Sequence, residues 1–466
     1  MTQKILSVIL ICCSNLIFSQ NDTLTFSIEQ VFGIIKKHHP VVKLAEINLK
    51  KSNAEITIAR GAFNPVISNT ISKKTFANSN YYDYINPNIT IPTWFGIEIS
   101  GGIENLDGNR FDPSETIGES SYIGVSIPIL KNLVIDKRRA VLKQSKTYNK
   151  LAKAEQRNIT NNVLMEATEQ YWEWVNAYKA LEILNKNLIN SQKRLEFIKK
   201  AFRYGERAAM DTIEAESQNQ SIEFQKNESL VKFKNEGIKL SAFLWQQNNQ
   251  PYQLPENIIP EKAWDNQTSI NDSNININEL ISTAIVNHPE IVQYNQKIEI
   301  LKIEKKLKFQ ELLPKLDFKY NHLSKGYDVL NQQITLFQDN YQYGVKFEMP
   351  LFLSKGRGEY KNAKFKIEET EVLINQKKLN IELKIKNYYN DLLNFKNQIL
   401  LQQKMTSNFK KLLSAEETLF KNGESSIFLI NSRESKVLEA ERKLIEVKTK
   451  YFKTLFALKW SAGLLE

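Results

Sequence analysis

His39-Pro40-Val41-Val42 returns as His288-Pro289-Glu290-Ile291, 249 residues further along, and Pro65 returns as Pro314 at the same offset. Ile127-Pro128-Ile129-Leu130 matches Met349-Pro350-Leu351-Phe352 at an offset of 222. Phe202-Arg203-Tyr204-Gly205-Glu206 matches Phe420-Lys421-Asn422-Gly423-Glu424 at 218, and Trp245 and Trp460 stand 215 apart. Five landmarks in one order mean a duplicated chain, so the fold must be assembled from two like units. The offset drops by 27 between Pro65 and Pro128. The first copy therefore holds about 27 more residues there, a surplus placed around Tyr81–Glu119, as extra strands or as a long loop.

Each copy reads as helix, strands, very long helix, tight turn, helix. Apolar periodicity predicts helices over Ile28–Ala62, Arg138–Tyr204 and Asp211–Trp245, then over Ile277–Leu312, Arg357–Lys421 and Ile427–Trp460. At about 1.5 Å per residue the two longest reach roughly 100 Å each. The two short helices of a copy, end to end, match the long one. Ile381, Ile385, Tyr388, Leu392, Phe395 and Ile399 step by four and three, the seam of a coiled coil. Tyr171, Trp174, Tyr178, Leu181 and Leu188 follow the same register with Asn185 as its polar member.

Between the helices the period changes to two. Tyr341, Tyr343, Val345, Phe347, Met349 and Leu351 alternate with Gln342, Gly344, Lys346, Glu348 and Pro350. Leu316, Phe318 and Tyr320, then Ile123, Val125, Ile127 and Ile129, and Phe95, Ile97 and Ile99 alternate likewise. One apolar and one polar face suit a half-buried sheet or a membrane barrel with a wet lumen. Tyr81, Tyr82, Tyr84, Trp94 and Tyr341 are candidates for an interfacial girdle. Four such segments cannot close a barrel alone, since small barrels need about eight strands. Membrane strands here would have to be shared between chains.

Lys4, the apolar run Ile5–Cys13 and the polar Asn21-Asp22 have the layout of a signal peptide over residues 1–20, cleaved near Ser19 or Gln20. Both cysteines, Cys12 and Cys13, fall inside it, so a disulfide or thiolate site is not expected in the mature chain. The 63 basic and 52 acidic side chains are interleaved, which speaks for solvated helix faces and against nucleic acid despite a net charge of +11. The four histidines, His38, His39, His288 and His322, have no metal-ligand spacing, and no phosphate loop, nucleophile elbow or HExxH is present. Neither catalysis nor a cofactor or metal is expected.

Taken together, from Leu24 to Leu464, the chain resembles the TolC-type outer-membrane efflux protein family. The resemblance rests on the duplicated His-Pro units, the strand-ending Pro128-Ile129-Leu130 and Pro350-Leu351-Phe352, and the paired tips Tyr204-Gly205-Glu206-Arg207 and Asn422-Gly423-Glu424-Ser425. It implies an α+β fold: a duplicated long-helix periplasmic tunnel, or coiled-coil α-barrel, with a transmembrane β-barrel shared between protomers. It divides the chain into a first repeat over 21–250, an equatorial linker over 246–278 and a second repeat over 279–466. It further implies a homotrimer in the outer membrane with four strands per protomer, mostly periplasmic, docked at its tips by a periplasmic adaptor with an inner-membrane pump behind.

The tips are the candidate site. The resemblance makes Tyr204, Gly205, Glu206, Asn422, Gly423 and Glu424 adaptor-docking positions, Asp211 and Glu214 aperture acids, and Arg207 a link that holds the aperture shut. Spacings of four and three would put Arg207, Asp211 and Glu214 on one helix face, where Arg207–Asp211 could equally be an ordinary surface pair. In the second tip Ser425, Leu429 and Ser432 replace the Arg and both acids. The function implied is a passive exit duct for a tripartite efflux pump or type I secretion system. The rival is a periplasmic coiled-coil scaffold or adaptor without a pore.

Overall fold

The computed structural model describes residues 24–109, 116–255, 257–262, 264, 275–331 and 335–465. The predicted signal peptide lies outside them. The first copy runs β1 (Leu24–Phe26), α1 (Ile28–His38), α2 (Pro40–Gly61), β2 (Val66–Phe76), β3 (Ser79–Pro92), β4 (Glu98–Asp107), β5 (Gly118–Pro128), α3 (Lys137–Arg203) and α4 (Ala209–Ser241). After β6 (Ile258–Pro260) the second runs α5 (Ile277–Asn287), α6 (Pro289–Gln310), β7 (Lys315–Lys325), β8 (Tyr341–Glu348), α7 (Ser354–Lys421) and α8 (Ile427–Ser461).

The helix lengths repeat almost residue for residue. α1 and α5 have 11 residues each, α2 and α6 have 22 each, and α3 and α7 have 67 and 68. Each shorter pair is broken before proline. His39 (φ −63°, ψ 129°) and His288 (φ −57°, ψ 131°) take the extended conformation that a following Pro enforces, and Pro40 and Pro289 then open the next helix. α1 starts with a capping box, in which Gln30 N donates to Ser27 Oγ and Ser27 N to Gln30 Oε1.

Contacts divide the chain into two compact units, 1–44 with 158–288 and 381–466, and 45–157 with 289–380. Among the described residues the first is mostly helix, with the short parallel pair β1–β6. Its core is aromatic: Trp172 stacks on Phe452 with ring centroids 4.7 Å apart and meets Trp264 edge-on at 5.5 Å. Trp174, Val175, Leu164, Leu240 and Leu244 close round it, fully buried. Side chains of this size contribute about 1.5–3 kcal/mol each when fully buried. The Tyr171 hydroxyl donates to Phe26 O at 2.9 Å, and burial pushes its phenol up out of the ordinary range. Ile381, Ile385, Leu392 and Ile399 are buried as their heptad spacing predicts. Asn185, the expected polar seam residue, is exposed, and Asn187 is buried in its stead, donating to Ile183 O at 2.9 Å. Leu181 and Leu188 are buried at their expected places, so the seam itself holds and the departure is local to Asn185.

The second unit holds one antiparallel sheet in the order β2-β3-β4-β5-β7-β8. The strand count departs from the four expected per chain. The first copy supplies four strands and the second two, so the described part of the surplus region is mostly strand. β2 and β3 join through Ala77 (φ 50°) and Asn78 (φ 59°), a two-residue turn of the left-handed kind that matches strand twist. Phe95, expected in a strand, sits in the β3–β4 turn, where Thr93 and Ile97 are hydrogen-bonded and Gly96 takes φ 91°.

Register gives the sheet two different faces. Ile67, Ile89, Gly101, Ile123, His322 and Tyr341 form one row across all six strands, and Ile91, Ile99, Val125, Tyr320 and Tyr343 another on the same face. The opposite face carries the row Thr90, Ser100, Gly124, Asn321 and Gln342. Its side chains bond to one another within and across strands: Asn86 Nδ2 donates to Tyr84 Oη of the same strand at 2.8 Å and to Glu104 of β4 at 2.9 Å, and Ser68 Oγ of β2 donates to Asn88 of β3 at 2.8 Å. Tyr82 and Tyr84 therefore lie on the polar face and are not part of an outer girdle. Trp94 stacks on Phe63 at 4.5 Å in the β3–β4 turn. Tyr341 does lie on the apolar face, in a cluster with Tyr320, Phe337 and Tyr343.

Candidate functional site

The two tips are built by one rule. α3 and α7 each end in a Schellman motif. Gly205 N donates to Phe202 O at 3.0 Å and Glu206 N to Ala201 O at 2.9 Å, and Gly423 N donates to Phe420 O at 3.1 Å and Glu424 N to Leu419 O at 2.9 Å. The motif needs a left-handed residue, and Gly205 (φ 76°) and Gly423 (φ 83°) supply it with open space where a side chain would stand. This is why the Gly-Glu pair recurs in the sequence. Tyr204 and its neighbours at the turn are exposed, with Tyr204 at 82%.

Beneath the turns Ile198, Ala215, Phe420, Ile427 and Ile430 form a small buried cluster drawn from both hairpins. Arg207 lies before α4, which begins at Ala209, so of the three candidate aperture residues only Asp211 and Glu214 are on that helix. The Arg207 guanidinium reaches the second hairpin. Its Nη2 donates to Phe420 O at 3.0 Å and its Cζ lies 4.0 Å from the centre of the Phe420 ring. Phe420 O thus accepts from its own Schellman glycine and from the arginine of the other tip. Glu214 Oε1 accepts from Asn431 Nδ2 at 3.3 Å, a second contact between the hairpins. Asp211 is half-buried in the first turn of α4, where a carboxylate faces the positive end of the helix dipole.

The strongest contact was not visible in the sequence. Arg194 of α3 grips Glu434 of α8 with both nitrogens, at 2.7 and 3.0 Å, with 13% and 3% of the side chains exposed. Glu417 stands 3.8 Å from the same arginine. Ser425, which stands where Arg207 does in the other tip, donates to Glu416 Oε1 at 2.6 Å within its own hairpin. Arg194 and Glu434 are single charged residues among many on long helices, paired across 240 positions, so no local pattern marks them.

No helix among the described residues is long and apolar enough to cross a membrane, and no group of three or more potential metal ligands is found among them.

Long helices with duplicated tips, and an open sheet with one apolar and one polar face, give the chain a fold similar to that of outer-membrane channels of known structure. Its second half, residues 280–464, matches the family model described as outer membrane efflux protein. Solved structures extend the likeness of fold to nearly the whole chain. The Campylobacter jejuni CmeC outer membrane channel is 16% identical, with 94% of this chain and 86% of that one covered at a TM-score of 0.61. The open-state Neisseria gonorrhoeae MtrE outer membrane channel is 12% identical, with 94% and 89% covered at 0.65. The Vibrio cholerae outer membrane protein VceC is 13% identical, with 94% and 97% covered at 0.61. A search of curated proteins by sequence gives no match.

Proposed function

We propose that three copies of this chain form a channel that serves as the passive exit duct of a tripartite efflux pump or type I secretion system. The observation that carries the reading is the six-stranded sheet. Its apolar rows face one way, its hydrogen-bonded polar side chains face the other, and neither edge is paired within the chain. A lipid-facing outside and a wet inside are what a pore wall requires. A solitary scaffold has no use for an apolar sheet face.

A periplasmic adaptor would dock at the exposed turns Tyr204-Gly205-Glu206 and Asn422-Gly423-Glu424, and an inner-membrane pump would choose the cargo. Asp211 and Glu214, in three copies, would ring the periplasmic aperture, and Arg207 would hold it shut. The test is fractionation followed by native mass spectrometry in detergent and planar-bilayer recording. The expected result is a trimer in the outer-membrane fraction that conducts ions. Recovery of the mature protein as a soluble periplasmic monomer would end the channel reading.

A further inference from the structure

The β2–β3 hairpin sets this sheet apart from the four strands that the resemblance implied, and its place is at the edge. β2 and β8 are the two outermost strands, and nearly every residue of each is exposed on both faces. Such an edge leaves a row of backbone N–H and C=O groups unpaired. In a bilayer those groups find no water, and each unsatisfied one costs several kcal/mol, so spanning sheets must close. Six strands are too few to close on themselves.

The β2–β3 hairpin is built as wall. Its Ile67, 81% exposed, continues the row of Ile89, Gly101 and Ile123 on the apolar face, and Ile71, 69% exposed, lies on the same face opposite Ile85 of β3. Its Ser68 and Asn86 continue the polar side. Successive neighbours are antiparallel throughout, so with six strands β2 and β8 run in opposite directions. The β8 edge of a second copy can then extend β2 with the same antiparallel ladder. A head-to-tail contact of this kind makes a ring.

We infer that the β2–β3 hairpin is part of the barrel wall and that β2 of each copy pairs with β8 of the next, so that three copies close a barrel of 18 strands instead of 12. The inference rests on the channel reading above. Barrels of about 16–18 strands leave an open aqueous lumen, wider than that of smaller ones.

Oxidative cross-linking in native outer membranes tests it. Cysteines on the polar face of β2 (Ser68→Cys, Thr70→Cys, Ser72→Cys) are combined one at a time with Gln342→Cys, Gly344→Cys or Lys346→Cys of β8. Facing positions on antiparallel strands bring Cβ atoms to about 4.5–5.5 Å, close enough for a disulfide. The expected result is that at least one combination gives a ladder ending at a covalently closed trimer. The rival pairs place Ser100→Cys or Glu104→Cys of β4 against the same β8 positions. Cross-linking of those pairs means that the hairpin stands outside a 12-stranded wall, which overturns the inference and leaves the channel reading intact. A β2–β8 ladder that ends at a dimer overturns the count of 18. Cross-linking of neither set, in protein that still conducts in bilayers, also overturns it. Failure of the channel reading itself would show separately as the absence of conductance in the unmodified protein.

Discussion

The two tips share a backbone and differ in how they are fastened. Both end their long helix in the same two hydrogen bonds and the same left-handed glycine. The second hairpin is then secured from within. Ser426 caps α8, its Oγ accepting from Leu429 N, and Ser425 holds Glu416. The first hairpin has Ala208 at the equivalent cap, with no side chain to accept, and its Arg207 is spent on Phe420 of the other hairpin. Phe202 and Phe420 occupy the same place in the repeated motif, yet Phe202 is 44% exposed and Phe420 only 4%. Duplication preserved the turn geometry, which glycine alone dictates, while the side chains around it diverged into one self-contained tip and one that leans on its neighbour.

The largest effect should come from the ion pair that joins α3 to α8. Arg194→Met leaves Glu434 buried without a partner, and breaking such a pair typically costs about 3–5 kcal/mol. The double variant Arg194→Met, Glu434→Met should recover most of that loss, because two apolar side chains need no mutual geometry. Thermal unfolding followed by the helix signal measures both. Equal destabilisation by the single and double variants would mean that the side chains matter for packing and not for charge.

Exchanging the tip residues comes next. Arg207→Ser removes a hydrogen bond to a carbonyl and a cation–π contact, together worth about 1–3 kcal/mol. It should free the first hairpin from the second and raise the open fraction of the channel in a planar bilayer. Asp211→Asn with Glu214→Gln should lower cation preference and weaken divalent-cation block, since a confined ring of carboxylates favours cations. Unchanged selectivity and block in that double variant would remove both acids from the constriction. Hydrogen exchange at 204–210 distinguishes a loosened tip from a merely altered charge.

Most of the fold could be read from the chain, for physical reasons that these residues make plain. Helix breaks follow from His-Pro, where proline restricts its predecessor. Tips follow from Gly205 and Gly423, and the sheet faces from strict alternation. The seam holds at Leu181 and Leu188 and departs at Asn185, where Leu184 and Asn187 are the buried neighbours. The surplus around Tyr81–Glu119 is legible as length without its form, strands or loop, and Pro87 within it is a weak strand signal. The structure carries β3 straight through Pro87, which lies opposite Asn69 of β2. The contacts of Arg194 and Arg207 were beyond reach, because pairing across more than 200 positions depends on which helices become neighbours.

The caps give a smaller and more local test of the same comparison. Ala208→Ser should stabilise the first tip by about 1 kcal/mol, and Ser426→Ala should cost the second about as much. If the two hairpins are fastened as described, Ala208→Ser should also soften the effect of Arg207→Ser, and Ser426→Ala should sharpen it. Strict additivity of the two changes, measured by unfolding, would show that the cap and the cross-hairpin arginine do not share a load.

The smallest effect concerns the other repeated landmark, the histidine before proline. His39 is 8% exposed, its ring lies 6.3 Å from Phe243 at an interplanar angle of 21°, and its Nδ1 has no hydrogen-bond partner. Burial disfavours the charged imidazolium and holds its pKa below the ordinary value of 6.5. The unfolded chain then takes up a proton at a higher pH than the folded one. Stability contributed by the neutral ring is complete above about pH 6.5 and declines as the pH falls from there through the folded value. His39→Gln keeps a polar group at the helix junction but cannot titrate. Its unfolding midpoint, compared with that of the unmodified protein at pH 7.5 and pH 5, should show less loss on acidification. An identical loss in both proteins would assign the acid sensitivity to other groups and leave His39 a purely steric residue, held in its place by Pro40.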